Sequence, residues 1–141
     1  MTQPPVRAML FDFGNVVIDI DTHRTLRAWA EYSPHTAAEM ASLFVADEVY
    51  ERHERGEIKE TEFYAHMRNT LSLETSDDAI IAGWNRLLVE PFDETVQVIS
   101  KINRRIPCYG LSNTNRTHIL EMERRFEAVL GLFAKPYLSA D

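Results

Sequence analysis

Residues 6–19 read VRAMLFDFGNVVID, two apolar runs each closed by a carboxylate. The first, Ala8-Met9-Leu10-Phe11, stops at Asp12. Phe13 and the pair Gly14-Asn15 follow, and the second run, Val16-Val17-Ile18, closes on Asp19. A run of this length fits a strand buried on both faces, although a buried helical segment would show the same lack of periodicity. Gly14-Asn15 is turn chemistry, able to adopt positive φ where other residues would strain. On the strand reading Asp12 stands at the carboxyl end of a central strand, where open α/β sheets place their ligands. That makes Asp12 the candidate active-site residue.

Outward from this stretch the pattern changes to helical. Between Asp21 and Glu90 the apolar residues recur at helical spacing, and no strand is expected. Leu26, Trp29 and Ala30 share one face, with Asp21 or Thr22 as the N-cap. Ser33-Pro34 predicts a second start, with Met40, Leu43 and Phe44 on its inner side. Gly56 is a helix stop after His53-Glu54-Arg55. Phe63, Met67 and Leu71 make another stripe, and Ser76 with Asp77 and Asp78 opens a helix carrying Ile80, Ile81, Trp84, Leu87 and Leu88. Pro91 closes this all-helical insert. One more amphipathic helix carries Val96, Ile99 and Ile102. Residues 106–111, IPCYGL, then predict a second buried strand ending in Ser112-Asn113-Thr114-Asn115, a polar cluster that caps the following helix. Tyr137-Leu138 is a candidate third strand. If the first two strands are parallel neighbours, Asp12 and Ser112-Asn113 open on one edge of the sheet.

Composition narrows the function classes. The chain has 141 residues, one domain's worth, with 45% hydrophobic and 26% charged residues, as in globular proteins. Lys+Arg 15 against Asp+Glu 22 gives a net charge of -7 with no basic cluster, which argues against nucleic acid as a partner. No apolar run reaches membrane-span length, and the amino terminus MTQPPVR has no signal-peptide apolar region, so no membrane partner and a cytoplasmic location are expected. Cys108 is the single cysteine. It lies among apolar residues with no flanking His or Lys, and reads as a packed, reduced thiol.

A carboxylate at a strand end beside flexible backbone can attack phosphorus or an activated carbon and form a covalent intermediate. The Ser112 hydroxyl and the amides after it can hold phosphate oxygens, helped by the following helix. Carboxylate and phosphate repel each other, so a divalent cation such as Mg²⁺ is expected between them. Each residue also has a plainer role. Asp12 can be a turn residue and Ser112-Asn113 a helix cap. His53 and His118 can be solvent-facing or packed rather than ligands, and Asp19 and Asp21 can simply solvate the strand exit. On these grounds alone the chain is an α/β phosphate-handling fold.

Three segments in order carry a resemblance: Phe11-Asp12-Phe13-Gly14-Asn15-Val16, then His53-Glu54-Arg55-Gly56-Glu57-Ile58 within the insert, then Leu111-Ser112-Asn113-Thr114-Asn115-Arg116. They resemble the haloacid dehalogenase (HAD) superfamily, and among its phosphatases the bacterial α-D-glucose-1-phosphate phosphatase type, along nearly the whole chain to Asp141. The resemblance implies an α/β fold, a partial Rossmann-like parallel sheet with an inserted helical cap. Residues 1–19 would be the first part of the core, residues 20–90 the cap, and residues 91–141 the core continued. It implies Asp12 as nucleophile and Mg²⁺ ligand, the Gly14 backbone carbonyl as a second Mg²⁺ ligand, and Ser112 and Asn113 as the phosphate grip. The chain departs from the family pattern in two ways. Gly14 stands where the family usually has a second Asp, the general acid–base. The third motif, a Lys, belongs several residues beyond the segment Leu138-Ser139-Ala140-Asp141, and the fourth, a pair of acids completing the Mg²⁺ site, further on still, so the sheet is expected to be incomplete beside the first strand. Lys135-Pro136 imitates the third motif but precedes its place.

The function expected is a Mg²⁺-dependent phosphatase acting on small phosphate monoesters such as sugar phosphates through an aspartyl-phosphate on Asp12. The chain is expected to be a monomer, with association through the incomplete sheet edge as the alternative. Two other readings stand beside this one: a 2-haloacid dehalogenase-like hydrolase, motivated by Gly14, and a truncated, non-catalytic HAD fragment or binding module.

Overall fold

The computed structural model describes residues 4–140. Residues 1–3 and Asp141, where the amino-terminal reading begins and the resemblance ends, lie outside the described residues.

The opening stretch does form a strand, β1 (Met9–Asp12), and its carboxyl end is Asp12. Residues 106–111 supply the next strand of its sheet, β4 (Cys108–Ser112), and the candidate third strand is β5 (Lys135–Leu138). These three are parallel in the order β1-β4-β5, with Asp12 beside Leu111 and Ser112 beside Leu138. Pro107 lies just before β4, where its carbonyl still accepts the Met9 N–H at 3.0 Å and its missing N–H costs no ladder bond. Among the described residues β1 pairs on one side only, as expected.

Burial on both faces, however, is not what β1 shows. Its burial alternates, and Leu10 is 60% exposed. On the same face β4 exposes Leu111 (51%), in register with Asp12, and β5 exposes Tyr137 (47%), in register with Leu111, while Phe11 and Phe13 pack edge-on against Phe133 at 6.1 and 5.1 Å on the other side. The sheet thus buries one face. Gly110, at the centre of that face, is required by close packing: a Cβ there would lie 2.5 Å from the Phe13 ring.

After Asp12 the chain turns sharply. Asn15 takes the left-handed conformation at φ 57 and its Oδ1 accepts the Ile20 N–H at 3.0 Å. A second strand, β2 (Ile18–Ile20), then pairs antiparallel with β3 (Leu88–Pro91), so the two ends of the insert are joined by a two-stranded ribbon. The expectation of no strand before Glu90 fails at Leu88 and Val89, which follow a short 3-10 turn over Asn85–Leu87. Pro91 is the last residue of the ribbon rather than a helix stop, paired with Ile18.

Between the ribbon strands lie α1 (Thr22–Ala30), α2 (Ala37–Leu43), α3 (Glu48–Glu54), α4 (Glu60–Leu71) and α5 (Asp77–Trp84). Asp21 caps α1 through the His23 N–H rather than solvating the strand exit, and Ser76 caps α5 as expected. The α2 start moves from Ser33-Pro34 to Thr36, because Thr36 and Glu39 form a reciprocal capping box. Ser33 instead donates to the Leu71 carbonyl at 2.7 Å, and Leu43 faces out. Met40, Phe63, Met67, Leu71, Ile80, Trp29 and Trp84 form the buried centre of the insert. Outside it, α6 (Asp93–Ile102), α7 (Arg116–Arg125) and α8 (Glu127–Leu130) complete the fold. No helix among the described residues is long and apolar enough to cross a membrane.

Candidate active site

The β1 turn and the segment after β4 meet the insert at a cavity of about 230 Å³. Gly14 and Asn15 enter it from the turn, Ser112, Asn113 and Thr114 from the end of β4, and Tyr50, Glu54 and Trp84 from the insert. The structure brings Gly14, Ser112 and Asn113 together at the ends of adjacent parallel strands. Asp12 is not part of the lining. It is exposed at the strand edge, one residue before the buried Phe13 and in register with Leu111 on the sheet's open side. Ser112 and Asn113 line a second, neighbouring hollow with Leu111 and Tyr137, so they border both sides of the sheet's carboxyl edge.

Ser112 and Asn113 do not spend their side chains on capping α7. Asn115 does, accepting the His118 N–H at 3.0 Å. The Thr114 N–H is taken by Ser139 Oγ at 2.9 Å, and the Ser139 hydroxyl faces the carbonyls of Thr114 and Glu54, either of which can accept its single proton. This contact ties the end of α3 to the loop after β4. Gly56 completes the tie: its φ of 66 turns the chain out of α3, and a Cβ would meet Ala140 Cα at 3.2 Å.

Glu54, which the sequence shows as part of a helix end and of the resemblance segment 53–58 without an assigned role, is the principal addition to the lining. It is the last residue of α3, where a carboxylate opposes the helix dipole. That local conflict is the signal by which the sequence could have singled it out. The Asn115 amide donates to Glu54 Oε1 at 2.7 Å. Burial pushes the Glu54 carboxyl above the usual carboxylate range, against the Asn115 hydrogen bond and the His53 charge, which lower it. Tyr50 is pushed up to about 12 by burial and by the charge of Glu54.

The two histidines are packed, not solvent-facing. His53 stacks on Phe63 at 3.9 Å, and its Nε2 bonds Glu60 at 2.9 Å. Glu60 also accepts from Thr117 of α7 and from Tyr64 at 3.3 Å, a polar knot between the insert and α7. Burial raises the Glu60 carboxyl, but the His53 and Thr117 hydrogen bonds outweigh it and leave Glu60 below its usual range. His118 bonds the Asn115 amide at 3.0 Å and the Trp84 carbonyl at 3.3 Å, and burial drives it down to about 4, so it is neutral near pH 7. Cys108 is buried and its thiol is pushed up, which leaves it inert as expected.

Among the described residues no group of three or more His, Cys, Asp or Glu side chains is placed to hold a metal ion. The expected Mg²⁺ donors are one carboxylate, Asp12, and one carbonyl, that of Gly14. Both are hard oxygens, and Mg²⁺ is commonly held by one or two carboxylates with waters and substrate phosphate filling its octahedron. The pair fits the protein's share of such a site.

No protein-family model matches the chain. Solved structures do. A HAD family enzyme from Bacteroides thetaiotaomicron, crystallised with magnesium, is 27% identical and superposes with a TM-score of 0.80 over 96% of this chain and 68% of its own. The same enzyme in complex with magnesium and inorganic phosphate is 25% identical, also with a TM-score of 0.80, over 96% of this chain and 70% of its own. An L-2-haloacid dehalogenase from Xanthobacter autotrophicus, with chloropropionic acid covalently bound, matches at a TM-score of 0.60 and 16% identity over 95% of this chain and 57% of its own.

Proposed function

The chain belongs by its fold to the HAD-like superfamily, and from that premise we propose that it is a hydrolase of small phosphate monoesters, sugar phosphates among them, working through Asp12. The observation that carries this reading is the meeting of Gly14, Ser112 and Asn113 at the carboxyl edge of adjacent parallel strands, beside Asp12. Magnesium and phosphate bound to the similar Bacteroides enzyme support the choice of phosphoryl transfer rather than displacement of halide at carbon. Residues 20–90 serve as the cap that closes the cavity over a substrate, with the β2–β3 ribbon as its stem.

Ser112 and Asn113 hold the phosphate oxygens at the strand edge. Asp12, exposed and unencumbered by a capping role, attacks phosphorus and becomes an aspartyl-phosphate, which water then hydrolyses. Asp12 and the Gly14 carbonyl would hold Mg²⁺, which when bound would offset the repulsion between the carboxylate and the phosphoryl oxygens.

The test is phosphate release from sugar phosphates and p-nitrophenyl phosphate with Mg²⁺, comparing wild type with Asp12→Asn. Asp12→Asn should abolish turnover, and equal rates would remove Asp12 from the mechanism. The likeness to the Xanthobacter dehalogenase favours a second reading, displacement of halide from a 2-haloacid by the same Asp12. Chloride release that persists in a chelator would select it. Phosphate release that a chelator abolishes would select the first.

A further inference from the structure

We propose that Glu54 is the general acid and base of the Asp12 reaction, reaching the substrate from the helical insert. The inference rests on the phosphatase reading above and adds the group that moves its protons. An alkoxide leaving group needs a proton and the attacking water must lose one, so a group that exchanges protons near neutrality has to face the phosphoryl site. Gly14 supplies none. Of the side chains that line the cavity, three ionise: Tyr50, Glu54 and His118. His118 is excluded because both ring nitrogens are engaged, one with Asn115 and one with the Trp84 carbonyl. Tyr50 holds its proton far above neutrality. Glu54 remains, the one carboxyl in the lining.

Its placement suits an in-line displacement. Ser112 and Asn113 border the cavity on one side and the open side of the sheet on the other, where Asp12 lies. A phosphoryl group held by them has Asp12 on one flank and Glu54 across the cavity, the side from which leaving group and water depart and arrive. Glu54 is also held firmly: Asn115 fixes Oε1 at 2.7 Å, and the Ser139 hydroxyl and Gly56 anchor its backbone. Burial raises the Glu54 carboxyl above its usual range, the direction a proton donor requires. The charged or titratable groups facing it are His53 and Glu60 within the insert, which act in opposite directions, and Tyr50.

In the first step an Asp12 oxygen bonds to phosphorus and the P–O bond to the leaving group breaks. The electron pair stays on the leaving oxygen, which takes the Glu54 proton and departs as the alcohol. In the second step water attacks the aspartyl-phosphate and gives its proton to the Glu54 carboxylate. The bond between phosphorus and the Asp12 oxygen then breaks with its pair returning to Asp12, freeing phosphate and restoring both residues.

The experiment uses the whole chain and two substrates that differ in leaving group, a sugar phosphate and p-nitrophenyl phosphate, whose phenolate leaves without a proton. Glu54→Gln keeps an oxygen for the Asn115 amide. It should lower kcat on the sugar phosphate by about 10²–10⁴-fold. With p-nitrophenyl phosphate it should leave the burst of nitrophenolate fast and slow only the later turnover. The wild-type rate should also fall on the alkaline side as Glu54 ionises, and Glu54→Gln should lack that limb. Equal losses in burst and turnover on both substrates mean structural damage, and overturn the role. Asp12-dependent turnover that ignores Glu54→Gln overturns the inference and leaves the phosphatase reading intact. Absence of any Asp12-dependent turnover overturns both. An independent readout is the Glu54 carboxyl resonance: inorganic phosphate with Mg²⁺ should raise the pH at which it titrates, and a resonance indifferent to phosphate overturns the assignment.

Discussion

The helical insert and the three-stranded sheet both carry apolar side chains, yet they bury them differently. In the insert Trp84 is surrounded: Trp29 stacks on it at 5.6 Å, Phe63 lies at 5.5 Å, Phe44 at 5.8 Å and Tyr50 at 6.3 Å. The sheet packs Phe11 and Phe13 on one side and leaves Leu10, Leu111 and Tyr137 open on the other. Parallel strands are normally covered on both faces. The difference teaches that the site is assembled by a self-contained insert closing against a one-sided sheet. The insert contributes Tyr50, Glu54 and Trp84 to the cavity, and the sheet edge contributes Gly14, Ser112 and Asn113.

The sharpest way to break this contrast is to hollow the insert. Trp84→Ala should cost about 3–5 kcal/mol, read as a lower midpoint in chemical denaturation. Because Trp84 also lines the cavity and touches His118 at 4.6 Å, the loss should reach α7 as well.

Next in size is the pH response of the junction. His118 is held neutral, with its folded value near 4 against an ordinary 6.5. A depressed folded value means the stability is fully present above pH 6.5 and is lost as pH falls toward 4. Burial of the neutral ring should therefore make the fold about 3 kcal/mol less stable at pH 4 than at pH 7.5 through this group. His118→Gln should flatten that part of the profile, measured as the difference between the two proteins' unfolding free energies across pH 4–7.5.

The sheet gives smaller effects, and opposite ones on its two faces. Gly110→Ala pushes a methyl into the Phe13 ring and should cost about 1–3 kcal/mol in the same denaturation assay. Leu10→Thr, on the open face, should change stability by no more than about 0.5 kcal/mol. A Leu10→Thr loss as large as that of Gly110→Ala would mean that the open face is covered in solution and would erase the contrast.

Much of this was legible in the chain. Short apolar runs marked the strands of the parallel sheet, and the helical stripes marked Phe63, Met67, Leu71, Ile80 and Trp84, because burial of one helix face imposes a period that sequence shows directly. Boundaries were weaker. Ser33-Pro34 competed with a better-formed capping box at Thr36, and Leu88 looked like the end of a helical stripe because one apolar residue fits either period. The histidines gave no signal of their burial, since His53 owes it to Glu60 and Phe63 on the next helix and His118 to Trp84, 34 residues away.

The sequence by itself determined the three strands of the parallel sheet, most of the helices and the order of Asp12, Gly14 and Ser112-Asn113 along the chain. These follow from local periodicity, caps and turns, which act over a few residues. Only the tertiary structure decided which face of β1 is open, that Asp12 stands outside the cavity while Gly14 and Ser112-Asn113 line it, and that Glu54 crosses from α3 to meet them. Those facts depend on strand register and on contacts such as Glu54 to Asn115, which join residues far apart in the chain and leave no period for the sequence to show.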